Sequence, residues 1–465
     1  MPDALRGWGR RALPPLPPLS RPIRWCLVAL VVLGGVLRIG WAVQAQSPTE
    51  LRDPIFYMVL ADHVAAGDGY TYGDRPEQGV TAYYPPGYPA LLGAAVWAVQ
   101  VLPGEVSTFD VALGLGVVLS VATIGLVFAL GRRLAGPRVG LVAAGIWALW
   151  PNLVFHSGVV LTETLFLFLL VAVLLVALGD PAAARAPGKA RVLAVGVLFG
   201  LAVLVRPVSL VAAPAFLVLW WGAGVRAALW RLALLGGATV AVLVPWSIRS
   251  TLAMDEPVAL SLNFGDNLCM GHNPGATGGF VDLGAHCFTG DGTDLRRPEY
   301  ETVRQSENID RALRYIRDEP ATTLRRTPTK LRITLGSDHD GLEASEDFGA
   351  QPTVSDGTRD LLELAADGFY VLVVAAGVAG AVVLLRRPDP ARRGVFLVTV
   401  AALQLVSPLV TFGDARFKMP IYPTLALCAA VAITAGWDRW RGTSGRAATG
   451  AASGDPARTP EPSAA

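Results

Sequence analysis

Charge is scarce in this sequence. Asp, Glu, Lys and Arg supply 16% of 465 residues against 52% hydrophobic, with a mean hydropathy of +0.46. A soluble enzyme carries charge on about a quarter of its residues, so that class is disfavoured. Lysine is nearly missing, with Lys189, Lys330 and Lys418 alone, and the net charge is only +2. No basic stripe marks a nucleic-acid partner. The five histidines are scattered, and no metal-ligand spacing, phosphate-cradling glycine loop or Ser/His/Asp arrangement stands out, so neither metal nor cofactor is expected. Internal repeats are absent as well. Of four cysteines, Cys26 and Cys428 lie in apolar runs and read as small core residues. Cys269 and Cys287 lie in the one long polar segment, where an oxidising compartment would let them pair if their Cα atoms come within reach.

What the sequence has in quantity is long apolar runs. Eleven occur, at 25–45, 87–102, 109–130, 139–157, 164–179, 192–205, 208–222, 232–248, 367–385, 394–412 and 420–437. The first is too long for a signal peptide and lacks a small-residue cleavage site. Arginine clusters around 6–24, 132–138, 185–191, 226–231, 386–393 and 439–446 should all be cytoplasmic. That requires an even number of crossings between neighbouring clusters. The run 87–102 is short and opens with Gly87-Tyr88-Pro89, so it reads as a juxtamembrane or re-entrant helix. Arg206-Pro207 becomes the outer turn of a hairpin.

The expected architecture is an all-α polytopic membrane bundle of about ten transmembrane helices, judged by the ~20 residues a span needs. Its parts are a tail 1–24, a transmembrane module 25–249 with an outer loop 46–108, an extracytoplasmic domain 250–366, a second transmembrane module 367–437, and a tail 438–465. Both tails are expected to be disordered. Juxtamembrane helices are expected in the first outer loop. The extracytoplasmic domain reads as small and mixed α/β, with helices at 298–318 and 321–335 and with loops and short strands at 257–290.

Several residues could carry chemistry. Asp53 opens a helix just beyond the first span, where Asp-Pro is equally a good helix start and a carboxylate is equally a candidate base. Glu163 begins an apolar helix near His156 and Ser157. A carboxylate at a membrane rim is expensive unless it faces protein or water, although the helix dipole also favours it there. Arg206, Arg249, Arg416 and Lys418 lie near outer membrane ends, where they can bind a lipid phosphate or simply snorkel. Arg38, inside the first span, has the same ambiguity. Tyr83, Tyr84 and Tyr88 flank Pro85-Pro86, as an aromatic belt or a carbohydrate-stacking surface would.

Taken in order, these segments resemble the polyprenyl-phosphate-sugar-dependent glycosyltransferases of the C superfamily, in the branch of the dolichyl-phosphate-mannose protein mannosyltransferases and bacterial aminoarabinose transferases (glycosyltransferase family 39). The resemblance is carried by Asp53-Pro54-Ile55-Phe56-Tyr57, Tyr84-Pro85-Pro86-Gly87-Tyr88-Pro89, Leu161-Thr162-Glu163, Val205-Arg206-Pro207, Pro245-Trp246-Ser247-Ile248-Arg249, Gly271-His272-Asn273-Pro274-Gly275 and Gly413-Asp414-Ala415-Arg416-Phe417-Lys418. It implies Asp53 as general base and Glu163 as a second acidic residue, with contacts to lipid phosphate or sugar from Arg206, Arg249, Arg416, Lys418, Tyr57, Tyr83, Tyr84, His272 and Asn273. Two departures matter. Pro54 stands where many relatives have Glu, and Tyr84 stands where aminoarabinose-transferase-like members carry the lysine that contacts phosphate, which shifts that duty to the arginines or Lys418.

The implied reaction is inverting transfer of a sugar from a polyprenyl-phosphate donor to a hydroxyl of a glycan, lipid or protein acceptor, on the extracytoplasmic face of the cell membrane. No nucleotide or obligatory metal is needed for that step. The main rival is a secondary transporter or flippase of a lipid-linked sugar. It would favour inverted repeats and midplane charges, whereas here symmetry is lacking and the charges gather at one face.

Overall fold

In a computed structural model of the chain, the residues described are 18–49, 51–72, 79–101, 103–104, 106–179, 187–284, 286–289, 298–349, 351–387, 389 and 392–452, with side chains left out at 298–299 and beyond 441. Most of the tail 1–24 lies outside them, whereas the tail 438–465, expected to be disordered, is described to 452 and is helical that far. Helix α1 (Arg21–Ala42) starts at Arg21-Pro22, and α2 (Asp53–Ala66) starts at Asp53-Pro54 and stops at Gly67, whose φ of 87° few other residues adopt. Next come α3 (Gly87–Val99), α4 (Thr108–Ala135), α5 (Pro137–Leu149), α6 (Pro151–Phe155), α7 (Glu163–Leu178), α8 (Lys189–Val205), α9 (Ala215–Trp220) and α10 (Val225–Met254). The outer region holds α11 (Phe264–Gly271), α12 (Pro298–Asp318), α13 (Pro320–Gly336) and α14 (Asp340–Asp347). Helices α15 (Asp356–Arg386), α16 (Arg393–Gln404), α17 (Val406–Val410) and α18 (Tyr422–Ala452) complete the chain.

Six described helices are long and apolar enough to cross a membrane, and the pair α5 and α6, bent by 60°, makes a seventh. This is a multi-pass membrane protein. The ten expected spans are not all present at full length: three of the expected runs, 164–179, 192–205 and 208–222, form helices too short to count as spans. Helix α7 has 16 residues after starting at Glu163, and α8 has 17 before Arg206-Pro207 ends it.

Arg38 explains how the chain tolerates the sharp bend. Pro151 has no N–H to offer the Trp147 carbonyl, and the turn after Trp150 breaks the helical ladder. The fully buried Arg38 guanidinium of α1 replaces those donors, with Nη2 3.0 Å from the Trp147 oxygen and Nη1 3.0 Å from that of Ala148. Its Nε donates to Ser120 Oγ of α4 at 2.6 Å. The sequence left Arg38 open between anchor and site; its contacts make it a structural tie.

The core lies among α4, α5, α7, α8 and α18, around buried Trp147, Trp150, Phe166 and Tyr422, with the Trp150 and Tyr422 rings stacked at 4.3 Å. Side chains of this size each bury 150–250 Å² and dominate a core. Helices α2 and α3 pack closely on this body. A Cβ on Gly93 would meet the Ala61 carbonyl at 2.8 Å, and one on Gly87 the Leu204 carbonyl at 2.8 Å, so both positions demand glycine and bring the Tyr84–Gly87 turn against the end of α8.

The outer region contains the two long helices at the expected places, but no strand occurs among the described residues. Of two isolated bridges, only Gly279 with Gly413 touches the segment 257–290 where short strands were expected; the other, Thr71 with Val80, lies in the first loop. The reason is that side chains satisfy the Gly- and Asn-rich backbone. Asn308 both donates to and accepts from the Phe288 backbone, at 3.1 and 2.6 Å, and Asn273 Oδ1 accepts from Gly275 N at 2.7 Å. Cys269 and Cys287 form a disulfide with Cα atoms 6.0 Å apart.

Candidate active site

A cavity of about 540 Å³ opens between the membrane helices and the outer region, a size typical of small-ligand sites. Asp53 and Glu163, far apart in sequence, both line it, together with Arg206, Arg416, Tyr57, Tyr83 and Tyr84. Asp53 occupies the first turn of α2 without capping it. Instead, its Oδ1 accepts from the Tyr84 hydroxyl at 2.6 Å and its Oδ2 lies 3.7 Å from Arg416 Nη1. The Asp53 side chain remains 36% exposed, so one edge of the carboxylate is open to the cavity. Glu163 is only 4% exposed and accepts from Arg206 Nη1 at 2.7 Å.

Local sequence fixes each cation. Arg206 sits in the extended residue between α8 and the 3-10 turn Pro207–Ala212, because the residue before proline avoids helix. Arg416 lies on the 3-10 turn Ala415–Ile421, where Asp414 accepts from its backbone N–H at 2.8 Å and pairs with its guanidinium at 3.3 Å.

The aromatic wall is held from two sides. Arg249 of α10 donates to the Thr81 and Tyr70 carbonyls at 2.6 and 2.8 Å and lies over the Trp246 ring. From α12, Glu301 accepts from Thr81 Oγ1 at 2.5 Å and from Ala82 N at 2.9 Å. Burial raises the Glu301 pKa, which those donors partly offset. The Tyr83 hydroxyl donates to Asp266 Oδ2 at 2.6 Å, while Arg304 pairs with Asp266 and covers the Tyr83 ring. Sequence reasoning passed over Glu301, Asp266 and Arg304, since nothing in their local pattern distinguishes them from a solvated helix face.

Arg249, Lys418, His272 and Asn273 do not line the cavity. Arg249 holds the wall as just described. Lys418 is fully buried, with Nζ 3.1 Å from Asp338, 3.4 Å from Asp340 and 3.0 Å from the Ala415 carbonyl. Asp338 also accepts from Trp150 Nε1 at 2.7 Å and from the Tyr422 hydroxyl, and Asp340 from Asn152 at 2.8 Å, with His156 Nε2 2.9 Å away. Burial pushes Asp338 up to about 6, against Lys418 and with Asp340. Burial pushes Asp340 the same way, but Lys418 and His156 together hold it well below the usual carboxylate range. His272 Nε2 lies 3.0 Å from Lys330 Nζ and 2.9 Å from the Val410 carbonyl; burial and then Lys330 bring its pKa down to about 4. Burial, then Arg326, lowers Lys330 to about 8. The Asn273 amide donates to the Cys269 carbonyl at 2.9 Å, beside the disulfide. No cluster of three His, Cys, Asp or Glu side chains able to hold a metal occurs among the described residues.

Comparison of the whole chain with solved structures gives the same architecture twice. ArnT from Cupriavidus metallidurans, bound to undecaprenyl phosphate, matches over 90% of this chain and 61% of its own length, with a TM-score of 0.51 and 15% identity. The Archaeoglobus fulgidus oligosaccharyltransferase, tethered to an acceptor peptide, matches over 90% of this chain and 50% of its own, with a TM-score of 0.50 and 17% identity. Both are C-superfamily glycosyltransferases. This chain has their fold. It spans about half to three-fifths of the length of the structures it matches. No protein-family model matches the chain, and no curated protein matches it in sequence.

Proposed function

We propose that this protein is an inverting glycosyltransferase that moves a sugar from a polyprenyl-phosphate donor to an acceptor hydroxyl. The observation that carries the reading is one cavity walled by a half-open carboxylate, Asp53, and by two arginines, Arg206 and Arg416. Asp53 takes the proton of the acceptor hydroxyl as its oxygen attacks the anomeric carbon. The bond from that carbon to the phosphate oxygen breaks and leaves its electrons on the lipid phosphate. Preorganised cations stabilise that developing charge, and Arg206 and Arg416 are the ones on the wall. Glu163 is paired too closely with Arg206 to serve as a base; its part is to aim that guanidinium. Tyr84, which donates to Asp53 Oδ1, fixes the direction of the other carboxylate oxygen. The donor's prenyl tail lies in the bilayer, and apolar Val205, Val208, Val211, Val406 and Phe417 on the same wall suit its first units.

In this reading the short helices α7 and α8 and the apolar stretch Pro207–Ala223 complete a ten-span topology with the cavity on the extracytoplasmic side of the cell membrane, and the acceptor is a hydroxyl of a glycan, lipid or protein. The test is Asp53→Asn in a deletion strain, read by glycolipid, glycan and glycoprotein profiling, alongside undecaprenyl phosphate binding by the purified variant. Transfer is expected to disappear while folding and lipid binding persist. Wild-type transfer by the variant would remove Asp53 from the mechanism.

A further inference from the structure

We infer that the cavity face of α11 is a recognition site for a neutral sugar ring on the lipid donor, read through hydrogen bonds from its hydroxyls to Asn263, Asn267 and Ser261. The inference rests on the transferase reading above and names its substrate class.

The argument begins with helical spacing. Asn263, Asn267 and Met270 recur at four and then three residues, and all three line the cavity. The opposite face is buried and tied down. Asp266, 1% exposed, accepts from Tyr83 and from Asn308 Nδ2 at 2.7 Å and pairs with Arg304, while Cys269 is held by the disulfide. Gly265 N donates to Gln305 Oε1 at 2.7 Å. The short helix is therefore fixed in rotation, and its amides are preset towards the cavity.

Those amides have capacity to spare. The Ser261 hydroxyl donates to Asn263 Oδ1 at 3.0 Å, leaving the Asn263 NH2 group without a protein partner; the Asn267 side-chain amide has none at all among the described residues. An amide offers two donors and an acceptor, the complement of vicinal hydroxyls. Position fits as well. Asp266 bonds Tyr83, the Tyr83 and Tyr84 rings lie 4.9 Å apart, and Tyr84 bonds Asp53, so α11 is two side chains from the base.

Charge selects the class of sugar. The ionisable acids and bases on the wall are Asp53, Glu163, Arg206 and Arg416, and each carboxylate already faces an arginine. With Glu163 bound to Arg206 and the open edge of Asp53 assigned to the acceptor hydroxyl, no carboxylate is left over for an ammonium sugar. A uronate would compete with the donor phosphate for the two arginines. A neutral polyhydroxylated ring has no such conflict.

The test uses the full chain in lipid nanodiscs. Binding of bare undecaprenyl phosphate is compared with that of undecaprenyl phosphate carrying mannose, glucose, galactose, arabinose or 4-amino-arabinose. The wild type is expected to bind its best neutral-sugar lipid about tenfold more tightly than bare lipid, as a few directed hydrogen bonds allow. Asn263→Ala/Asn267→Ala should erase that preference and leave bare-lipid binding unchanged, which also reports an intact fold. Asn267→Asp, a milder change, should raise the relative binding of the amino-sugar lipid. A wild type that favours the amino-sugar lipid, or one with no preference over bare lipid, overturns the inference, as does a double variant that keeps the wild-type ratio. Asp53→Asn separates the two ideas, because it should bind every lipid as the wild type does; transfer by that variant would defeat the base and leave the binding preference standing.

Discussion

Two groups of charges meet at a single 3-10 turn in this protein and are treated in opposite ways. On the cavity wall, Asp53 and Arg416 remain 36% and 23% exposed and face each other at 3.7 Å, looser than a hydrogen bond. Just behind, Lys418, Asp338, Asp340, Asn152 and His156 are sealed, with contacts near 3 Å. The same 3-10 turn supplies a cation to each group, Arg416 to the open one and Lys418 to the closed one. An open pair keeps capacity for a ligand. A closed group, His156 Nδ1 excepted, spends its capacity on the protein itself, and losing one member leaves a buried charge unmatched.

Variants at the two groups should therefore fail differently. Asp53→Asn is expected to cut transfer by about 10³-fold or more, within the range for losing a general base, with no change in melting temperature. Lys418→Met should do the reverse, with a loss of about 3–5 kcal/mol of stability as two buried carboxylates lose their partner. Adding Asp338→Asn and Asp340→Asn should recover most of that loss in a thermal melt, whereas no second-site change should rescue Asp53→Asn. An equal drop in stability for both single variants would erase the distinction.

Arg206 and Glu163 lie between the extremes. A double-mutant cycle of Arg206→Gln and Glu163→Gln should show coupling of about 1–2 kcal/mol in transfer rate, with the arginine variant the more damaged if, as proposed, Arg206 also contacts the phosphate. Additive effects would separate the pair. The smallest effect belongs to His339, at the rim of the sealed group, 3.4 Å from Glu343 and 3.0 Å from Asp367. The Glu343 bond, against burial and with Asp367, raises its pKa to about 9. The protonated form is favoured by folding, so its stabilisation is complete below the unfolded value near 6.5 and is lost as pH rises towards 9. With solvent screening the effect is about 1 kcal/mol. His339→Gln should flatten the decline in melting temperature over that pH window.

The sequence reading succeeded where chemistry is local and failed where it depends on assembly. The helices expected at 298–318 and 321–335, found at 298–318 and 320–336, were legible from apolar spacing and from Pro320 between them. Glu163, Arg206 and Arg416 could be nominated because each lies near the end of an apolar run, and Asp53 because it opens a helix just beyond the first span in a segment that carries the family resemblance. Lys418 satisfies the same criterion yet points inward, since a side chain two residues on in a 3-10 turn faces away from its neighbour. Its partners, Asp338 and Asp340, come from the distant junction between α13 and α14, which has no pattern of its own. Arg249 and Glu301 converge on Thr81 from helices far apart in sequence, a meeting that no periodicity announces. Ten full spans were expected because the charge rule counts the runs 164–179, 192–205 and 208–222 as crossings, although the helices they form are short.

The guanidinium of Arg38 has a consequence for engineering and for divergence alike. Because it serves carbonyls of a different helix, α1 is not an interchangeable anchor. Replacing it with a generic hydrophobic segment would strip the kinked helix of its surrogate donors, while replacing Pro151 with alanine would strand the arginine in lipid-like surroundings. Positions 38 and 151 should therefore change together or not at all.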